Sequence, residues 1–416
     1  MLSLLIATTG LYAQEIKNPE AAELLKEDHT RAGINSNCYE FCKIRDTPAP
    51  KGYKPFYISH YGRHGARSDW GEVTYRRLVD VLTKAKAQGI LTSGGDSLLL
   101  GASEIVRLHD GMEGRLTSKG VSEQKRLADR MFNRYKKVFK SGDGYVRAIS
   151  STVPRCLVSM TAFTNELTAL DPDLDISWDT GEKFYAYINN SCPDDVYKAS
   201  QILMDSLNRS YLPDTNYVMV RLFTDKAAAR KLIPSIGSFQ KDIFTTGRIA
   251  DPFDVKIDIL GFLPFDALYK YWDNLNMYMY LRHCNSKEFG AERVAEASAL
   301  ADDIVWRADE AIASGKVCAD LRFGHDFPAM AIASYLGIEG IGNRYSFEEA
   351  QRNWNGILYI PFSMNIQMVF YHNREGNVLV KFLMNEKEAL LRNLEPVSGP
   401  YYDWDTVKAN IKGYLR

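Results

Sequence analysis

The chain has 416 residues, 45% of them hydrophobic and 25% charged, with 51 basic against 52 acidic side chains. That balance leaves no global field to draw nucleic acid or an anionic membrane, so an anionic ligand has to be held by a local cluster of positive charge. The length suits two or three domains, or one large α/β domain with an insertion, and is ample for a sizeable core.

The first residues, Met1-Leu-Ser-Leu-Leu-Ile-Ala-Thr-Thr-Gly-Leu-Tyr-Ala13, form a short apolar run ending in a small residue. The run is too short to span a bilayer and polar sequence follows at once. Residues 1–14 therefore read as a secretory signal, lacking the usual basic start, rather than as an N-terminal core helix. That reading places the protein in the periplasm or outside the cell. No other stretch reads as transmembrane. Residues 15–50 are polar and punctuated by proline, an N-terminal arm. Phe56 to Tyr61 predicts a strand closed by turn signals at Gly62 and Gly65, and residues 72–88 follow with helical periodicity.

Gly114 to Lys137 reads as a turn and then a basic amphipathic helix, with Leu127, Met131 and Tyr135 spaced by four. Tyr145 to Ile149 predicts a second short strand, and Arg155 to Leu170 the helix after it. From about 171 to 300 the texture changes to charged, tyrosine-rich helical stretches with several Pro-Asp turns and few strand signals. Strand character returns at Val317 to Phe323, which runs into Gly324-His325-Asp326 and a helix through Leu336. Ile366 to Tyr371 and Val378 to Leu383 alternate across Asn373-Arg-Glu-Gly-Asn377, a β-hairpin signature. Strands alternating with helices at both ends predict a three-layer α/β/α domain on a mostly parallel central sheet, formed by residues 15–170 and 301–416. Residues 171–300 form a mainly helical inserted cap.

Six cysteines occur, Cys38, Cys42, Cys156, Cys192, Cys284 and Cys318. An exported enzyme can pair some of them, and Cys38 and Cys42 are close enough for a local bridge where the turn permits. Cys156 and Cys318 read as buried free thiols. No Cys or His cluster has zinc-ligand spacing, and a zinc hydrolase built on His283 and Cys284 has too few ligands. No cofactor or metal is called for.

The strongest motif is Arg63-His64-Gly65-Ala66-Arg67, on a loop leaving a predicted strand. From the residue frequencies, R-H-G-x-R arises by chance in roughly one chain of this composition in five hundred. Glycine at 65 lets backbone come close to a ligand, and two arginines offer guanidinium forks suited to phosphate oxygens. A neutral imidazole between them is a nucleophile for phosphorus. The bland reading of His64, a hydrogen-bonded turn histidine, loses to the flanking arginines. The histidines His60, His109, His283 and His372 keep the structural reading.

Gly324-His325-Asp326 again sits where a strand gives way to a helix. Ligands of open α/β sheets bind outside the carboxyl ends of strands, so the two loops open on one edge if their strands are neighbours. His325 is suited to donate to a phosphoryl oxygen and Asp326 to act as general acid, against the plainer reading of Asp326 as an N-cap. Arg147, taken to end the second strand, is a further candidate for the same pocket; its plain alternative is a salt bridge. Arg155, after Pro154 at a helix start, is a weaker candidate.

These motifs resemble the histidine acid phosphatases, the branch of the histidine phosphatase superfamily that includes phytases and multiple inositol polyphosphate phosphatases. The resemblance runs from about residue 53 onward, through R-H-G-x-R at 63–67, Arg-Leu-Thr-Ser-Lys-Gly at 115–120, V-R-A-x-S at 146–150 and H-D at 325–326. It implies phosphomonoester hydrolysis without a metal. Arg63, Arg67, Arg147 and His325 would bind the phosphoryl group, His64 would be phosphorylated, and Asp326 would protonate the leaving oxygen. The expected partner is a small phosphorylated substrate, an inositol phosphate, a sugar phosphate or another phosphomonoester. Two departures stand out. Inositol polyphosphate phosphatases typically carry H-A-E where this chain has His325-Asp326-Phe327, and Ser68-Asp69-Trp70 lacks the lysine or proline many phytases have there. A mutase or phosphotransferase using the same phosphohistidine, and a phosphate-binding protein without turnover, are the competing readings.

Overall fold

The computed structural model describes residues 16–69, 72–140, 144–184, 188, 192–209 and 215–413. The apolar run expected to be a signal lies outside the described residues. The core is one sheet of eight strands: β1 (Lys54–Arg63), β2 (Tyr145–Ser150), β3 (Asp175–Thr180), β4 (Val317–Gly324), β5 (Asn365–His372), β6 (Val378–Met384), β7 (Lys387–Ala389) and β8 (Tyr401–Asp403). Their order is β3-β2-β4-β1-β5-β6-β7, with β8 beside β6. β3, β2, β4 and β1 are parallel, and antiparallel pairing begins at β5. The expected three-layer architecture is therefore present, with a parallel half that holds the predicted motifs.

Alternation of side chains sends each strand into two cores, as the period of two requires. Tyr57 and Tyr61 of β1, with Met368 and Phe370 of β5, pack into the larger cluster with Ile304 and Ala308 of the helix Ser298–Ser314. Ile58, Val146, Leu321 and Val369 face the other way, against Leu127 and Met131 of the helix Ser118–Arg134 and Phe163 and Leu167 of the helix Pro154–Leu170. β4 is buried at every position, including Asp320 and Arg322. A charge at such a site needs a partner. Arg322 pairs with Asp303 and donates to Ser59 Oγ at 3.0 Å, while Asp320 takes Arg147, Arg307 and the Tyr57 hydroxyl.

Asp175–Thr180 falls inside the stretch expected to be a mainly helical cap, yet it is β3 and completes the sheet. It is polar because it is an edge strand, half-exposed, so hydrophobic alternation gives no strand signal there. Helices do dominate beyond it, among them Asp194–Arg209, Ile236–Gly247 and Phe265–His283. The arm at 15–50 also carries structure, a helix Pro19–Glu27 and a 3₁₀ segment His29–Ser36. The hairpin between β5 and β6 turns at Asn373 to Asn377, with Gly376 at φ +85° and Asn373 N–H donating to the Asn377 carbonyl. Because β5 is antiparallel to β1, with His372 opposite Lys54, this turn lies at the amino end of β1. All six cysteines are free thiols, so the local Cys38–Cys42 bridge is not formed.

Candidate active site

β1 and β4 are parallel neighbours with Arg63 beside Gly324, and His64 N–H donates to the Gly324 carbonyl at 3.0 Å. Ser150 at the end of β2 lies beside Phe323, and Ser151 N–H donates to the Phe323 carbonyl. Three carboxyl ends thus meet on one edge, and the chemistry-bearing loops leave from it.

The motif loop is shaped by backbone contact. A methyl at Gly65 would land on the Gly120 carbonyl, and one at Gly120 would land on the Ala66 carbonyl. Gly120 closes the Arg115-Leu-Thr-Ser-Lys-Gly stretch, so two segments far apart in sequence need a missing side chain at the same spot. The adjoining helix Ser118–Arg134 supplies buried Glu123, which accepts from Ala66 N–H at 2.9 Å, Tyr39 N–H at 2.9 Å and Ser363 Oγ at 2.7 Å. Gln124 donates to the Arg63 carbonyl at 3.2 Å. Ser363, at φ +57°, donates its backbone N–H to the His64 carbonyl at 3.0 Å. A non-glycine residue held at positive φ marks a place the surroundings over-determine.

His64 is 2% exposed. Its Nδ1 lies 2.9 Å from the Gly65 carbonyl. A carbonyl only accepts, so Nδ1 carries the proton and Nε2 keeps its lone pair. Burial, then the charges of Arg63, Arg155 and Arg67, hold the ring well below the usual histidine range and keep it neutral. Arg63 is buried, donates to the Ile360 carbonyl at 3.2 Å, lies 3.0 Å from Asp326 Oδ2 and stacks 4.5 Å over Phe362. Arg67 is more open; it donates to its neighbour Ser68 carbonyl and lies 3.6 Å from Asp69.

His325 precedes the helix Asp326–Leu336. Its Nδ1 faces Arg155 Nη2 at 3.2 Å and its Nε2 faces Ser151 Oγ at 3.1 Å. A guanidinium only donates, so here Nδ1 accepts and Nε2 carries the proton. The His64 and His325 rings stand edge to face at 5.7 Å. Asp326 accepts from Asn35 Nδ2 at 3.0 Å and from Phe327 N–H at 3.1 Å. Burial alone would raise its pKa, but Arg63, Asn35 and His325 outweigh it and bring the carboxyl down to about 2. Asn35 follows Ile34, a β-branched residue at φ +47°, a second strained position feeding the same cluster.

The structure thus gathers Arg63, His64, Arg67, His325 and Asp326. It does not bring Arg147 to them, and that expectation is corrected. β2 runs on to Ser150, so Arg147 is mid-strand; it is held by Asp320 at 2.7 Å and Glu310 at 2.5 Å. Arg155, at the start of the helix that leaves the carboxyl edge, stands against His325 instead. The edge rule points to it, since a residue past the strand end is delivered to the edge and one three residues earlier is not. Arg147→Ala is therefore expected to lower stability by about 3 kcal/mol, through the weakened pairing of buried Asp320. The Michaelis constant for a phosphomonoester should barely move. Urea unfolding and steady-state kinetics check this, and a raised KM at unchanged stability would restore Arg147 to the site.

Buried imidazoles make stability depend on acid. Burial takes His60 and His283 down to about 3 and His325 to about 4, with arginines adding to the fall. Free histidine titrates near about 6.5, so from there to about pH 4 the unfolded chain binds more protons than the folded one. Asp326 acts with the same sign below the unfolded aspartate value of about 3.9, its contribution being lost as pH falls through about 2. The melting temperature is expected to fall steadily from pH 7 to pH 4. Calorimetry finding a flat or rising trend toward acid would overturn this.

Among the described residues, no three His, Cys, Asp or Glu side chains group as a metal site, and no helix is long and apolar enough to cross a membrane. No protein-family model matches the chain. No curated protein matches it by sequence. Solved structures do match. The multiple inositol polyphosphate phosphatase of Bifidobacterium longum, in complex with inositol hexasulfate, superposes with a TM-score of 0.72 at 16% identity, covering 92% of this chain and 97% of that one. The phytase from D. castellii gives 0.69 at 13% identity over 99% and 91%, and the Hafnia alvei phytase 0.55 at 11% over 89% and 98%. The chain shares its fold with this inositol polyphosphate phosphatase and these phytases.

Proposed function

We propose that the protein is a phosphomonoesterase that passes the phosphoryl group through His64. One observation carries the reading: His64 Nδ1 is tied to a carbonyl, so its Nε2 lone pair is free to attack amid Arg63, Arg67, Arg155 and His325. Charge on the equatorial oxygens is the main burden in phosphoryl transfer, and three guanidinium groups with one imidazole answer it without a metal. Nε2 attacks phosphorus, the bond to the leaving oxygen breaks, and Asp326 gives that oxygen its proton. Water then attacks the phosphohistidine, returning a proton to Asp326 and releasing phosphate as the P–N bond breaks.

The first transfer needs Asp326 protonated, which Arg63 opposes and the arriving phosphate dianion favours. The rate is therefore greatest in acid. The substrate is a small phosphomonoester, an inositol or sugar phosphate. We infer export to the periplasm or beyond the cell, a reading that the apolar run Met1 to Ala13 supports. Phosphate release from p-nitrophenyl phosphate, glucose phosphates and inositol phosphates between pH 3 and pH 8, in the presence of a strong chelator, tests the reading. Release that persists with the chelator and peaks in acid is expected; no release from any of them, or loss on chelation, would sink it.

A further inference from the structure

The other edge of the sheet, where the parallel strands begin, carries a trough lined with basic side chains. Lys54 opens β1 and stands beside His372 at the end of β5, and Tyr145 of β2 stands beside Val317 of β4. Two hollows meet there, sharing Lys54 and His372. One is lined by Lys51 and Arg374, the other by Lys137 and Lys140, which end and follow the short helix Lys136–Phe139. A methyl at Gly52, Gly315 or Gly376 would meet nothing within 4 Å, so the trough is open to solvent along its length.

Lys51, Lys54, Lys137, Lys140 and Arg374 are all exposed, and Glu375 is the one carboxylate among the described residues that line the trough. Among the described residues none of these cations has a carboxylate within ion-pair distance or a side-chain hydrogen bond. Lysines elsewhere differ: Lys119, Lys381 and Lys408 each hold two carboxylates. In a chain of net charge −1, such a concentration is a local field that draws an anion. The lining selects among anions. Lysine is a point charge without the planar fork that grips a single phosphate, so lysines spread along a trough suit charges spread along a chain. Single-stranded nucleic acid needs open aromatic faces on which to stack; Phe56, the one ring of the lining besides His372, is stacked against His372 at 4.6 Å. Basic faces that bind membranes present apolar side chains to the bilayer, and among the described residues no exposed large apolar side chain lines the trough.

We propose that this trough binds a linear acidic polysaccharide, whose charged groups follow one another along the two hollows. The inference goes beyond the phosphohistidine reading and stands without it, because the motif loop and Gly324 lie at the other ends of the same strands.

The test measures binding of a fluorescein-labelled heparin oligosaccharide to the full chain by anisotropy. Lys51→Glu combined with Arg374→Glu is expected to weaken binding about tenfold or more, since two attractions become repulsions. Arg67→Gln, at the opposite edge, should leave it unchanged. The unmodified protein supplies a measurement that needs no variant: log Kd should rise with log salt with a slope of about three to four, at roughly 0.7 for each cation of the trough. A charge-reversed protein that binds as the parent does, an equal loss from Arg67→Gln, or a slope near zero would each overturn the proposal. So would tighter binding of single-stranded DNA of equal charge, or of phosphatidylglycerol vesicles, either of which assigns the trough to another class of partner.

Discussion

Replacing His64 by alanine is expected to lower kcat for p-nitrophenyl phosphate by about 10,000-fold or more, the scale on which loss of a covalent nucleophile acts. The fold should survive. Among the described residues the only hydrogen bond from the ring runs to the next residue's carbonyl, and its ring contacts, His325 at 5.7 Å and Phe362 at 5.9 Å, are loose. The loop is held by other groups, through Glu123, Gln124 and the Gly65–Gly120 contact. Circular dichroism and melting should therefore stay near those of the parent while turnover disappears. Rapid alkaline quenching with labelled substrate, which spares the acid-labile P–N bond, should trap phosphate on the parent and none on the variant. Turnover within tenfold of the parent would mean that His64 is not the nucleophile.

Asp326→Asn removes the proton donor and keeps the shape. General acid catalysis is worth about 100- to 10,000-fold, so hydrolysis of an alkyl phosphate such as glycerol 2-phosphate should fall by that factor. p-Nitrophenyl phosphate should suffer much less in the first step, because its phenolate leaves with little help. A burst of p-nitrophenol followed by slow release of phosphate is expected, since the same carboxylate activates water for the second step. Arg63 keeps the Ile360 carbonyl and the Phe362 ring, so it remains placed for phosphate. Equal losses in the first step, read from the release of each alcohol in the burst, would point to damage at Arg63 rather than a missing proton. With no ionisable acid the variant should also lose the decline in kcat as pH rises.

The strands and helices that carry the motifs were legible because each sits in a strongly patterned segment. Phe56 to Tyr61 and Val317 to Phe323 are rich in strand-forming side chains and run up to a glycine, and the structure extends both by a residue or more into β1 and β4. His64, His325 and Asp326 were legible because two short motifs share one kind of position. Arg147 misleads because it is read as the end of a strand that runs three residues further, to Ser150, and Arg155 depends on where the chain then turns. Asn35, Glu123 and Ser363 carry no local signal. Each is a polar residue whose importance comes from partners far off in sequence: Asn35 and Asp326 are 291 residues apart, Ser363 and Glu123 240. β3 was missed for the opposite reason, since an edge strand exposed to water needs no hydrophobic alternation.

The turn at Asn373 to Asn377 has a practical use. It is exposed, and β1, ten residues long, separates it from the motif loop by about 30 Å at roughly 3.3 Å per residue. A loop tip of that kind accepts added chain with little disturbance to the sheet beneath it. An affinity handle, a fused carrier protein or a bead coupled through a cysteine placed there would face away from the entrance used by substrate. Immobilised in that orientation, the molecule keeps its reactive edge toward the solution.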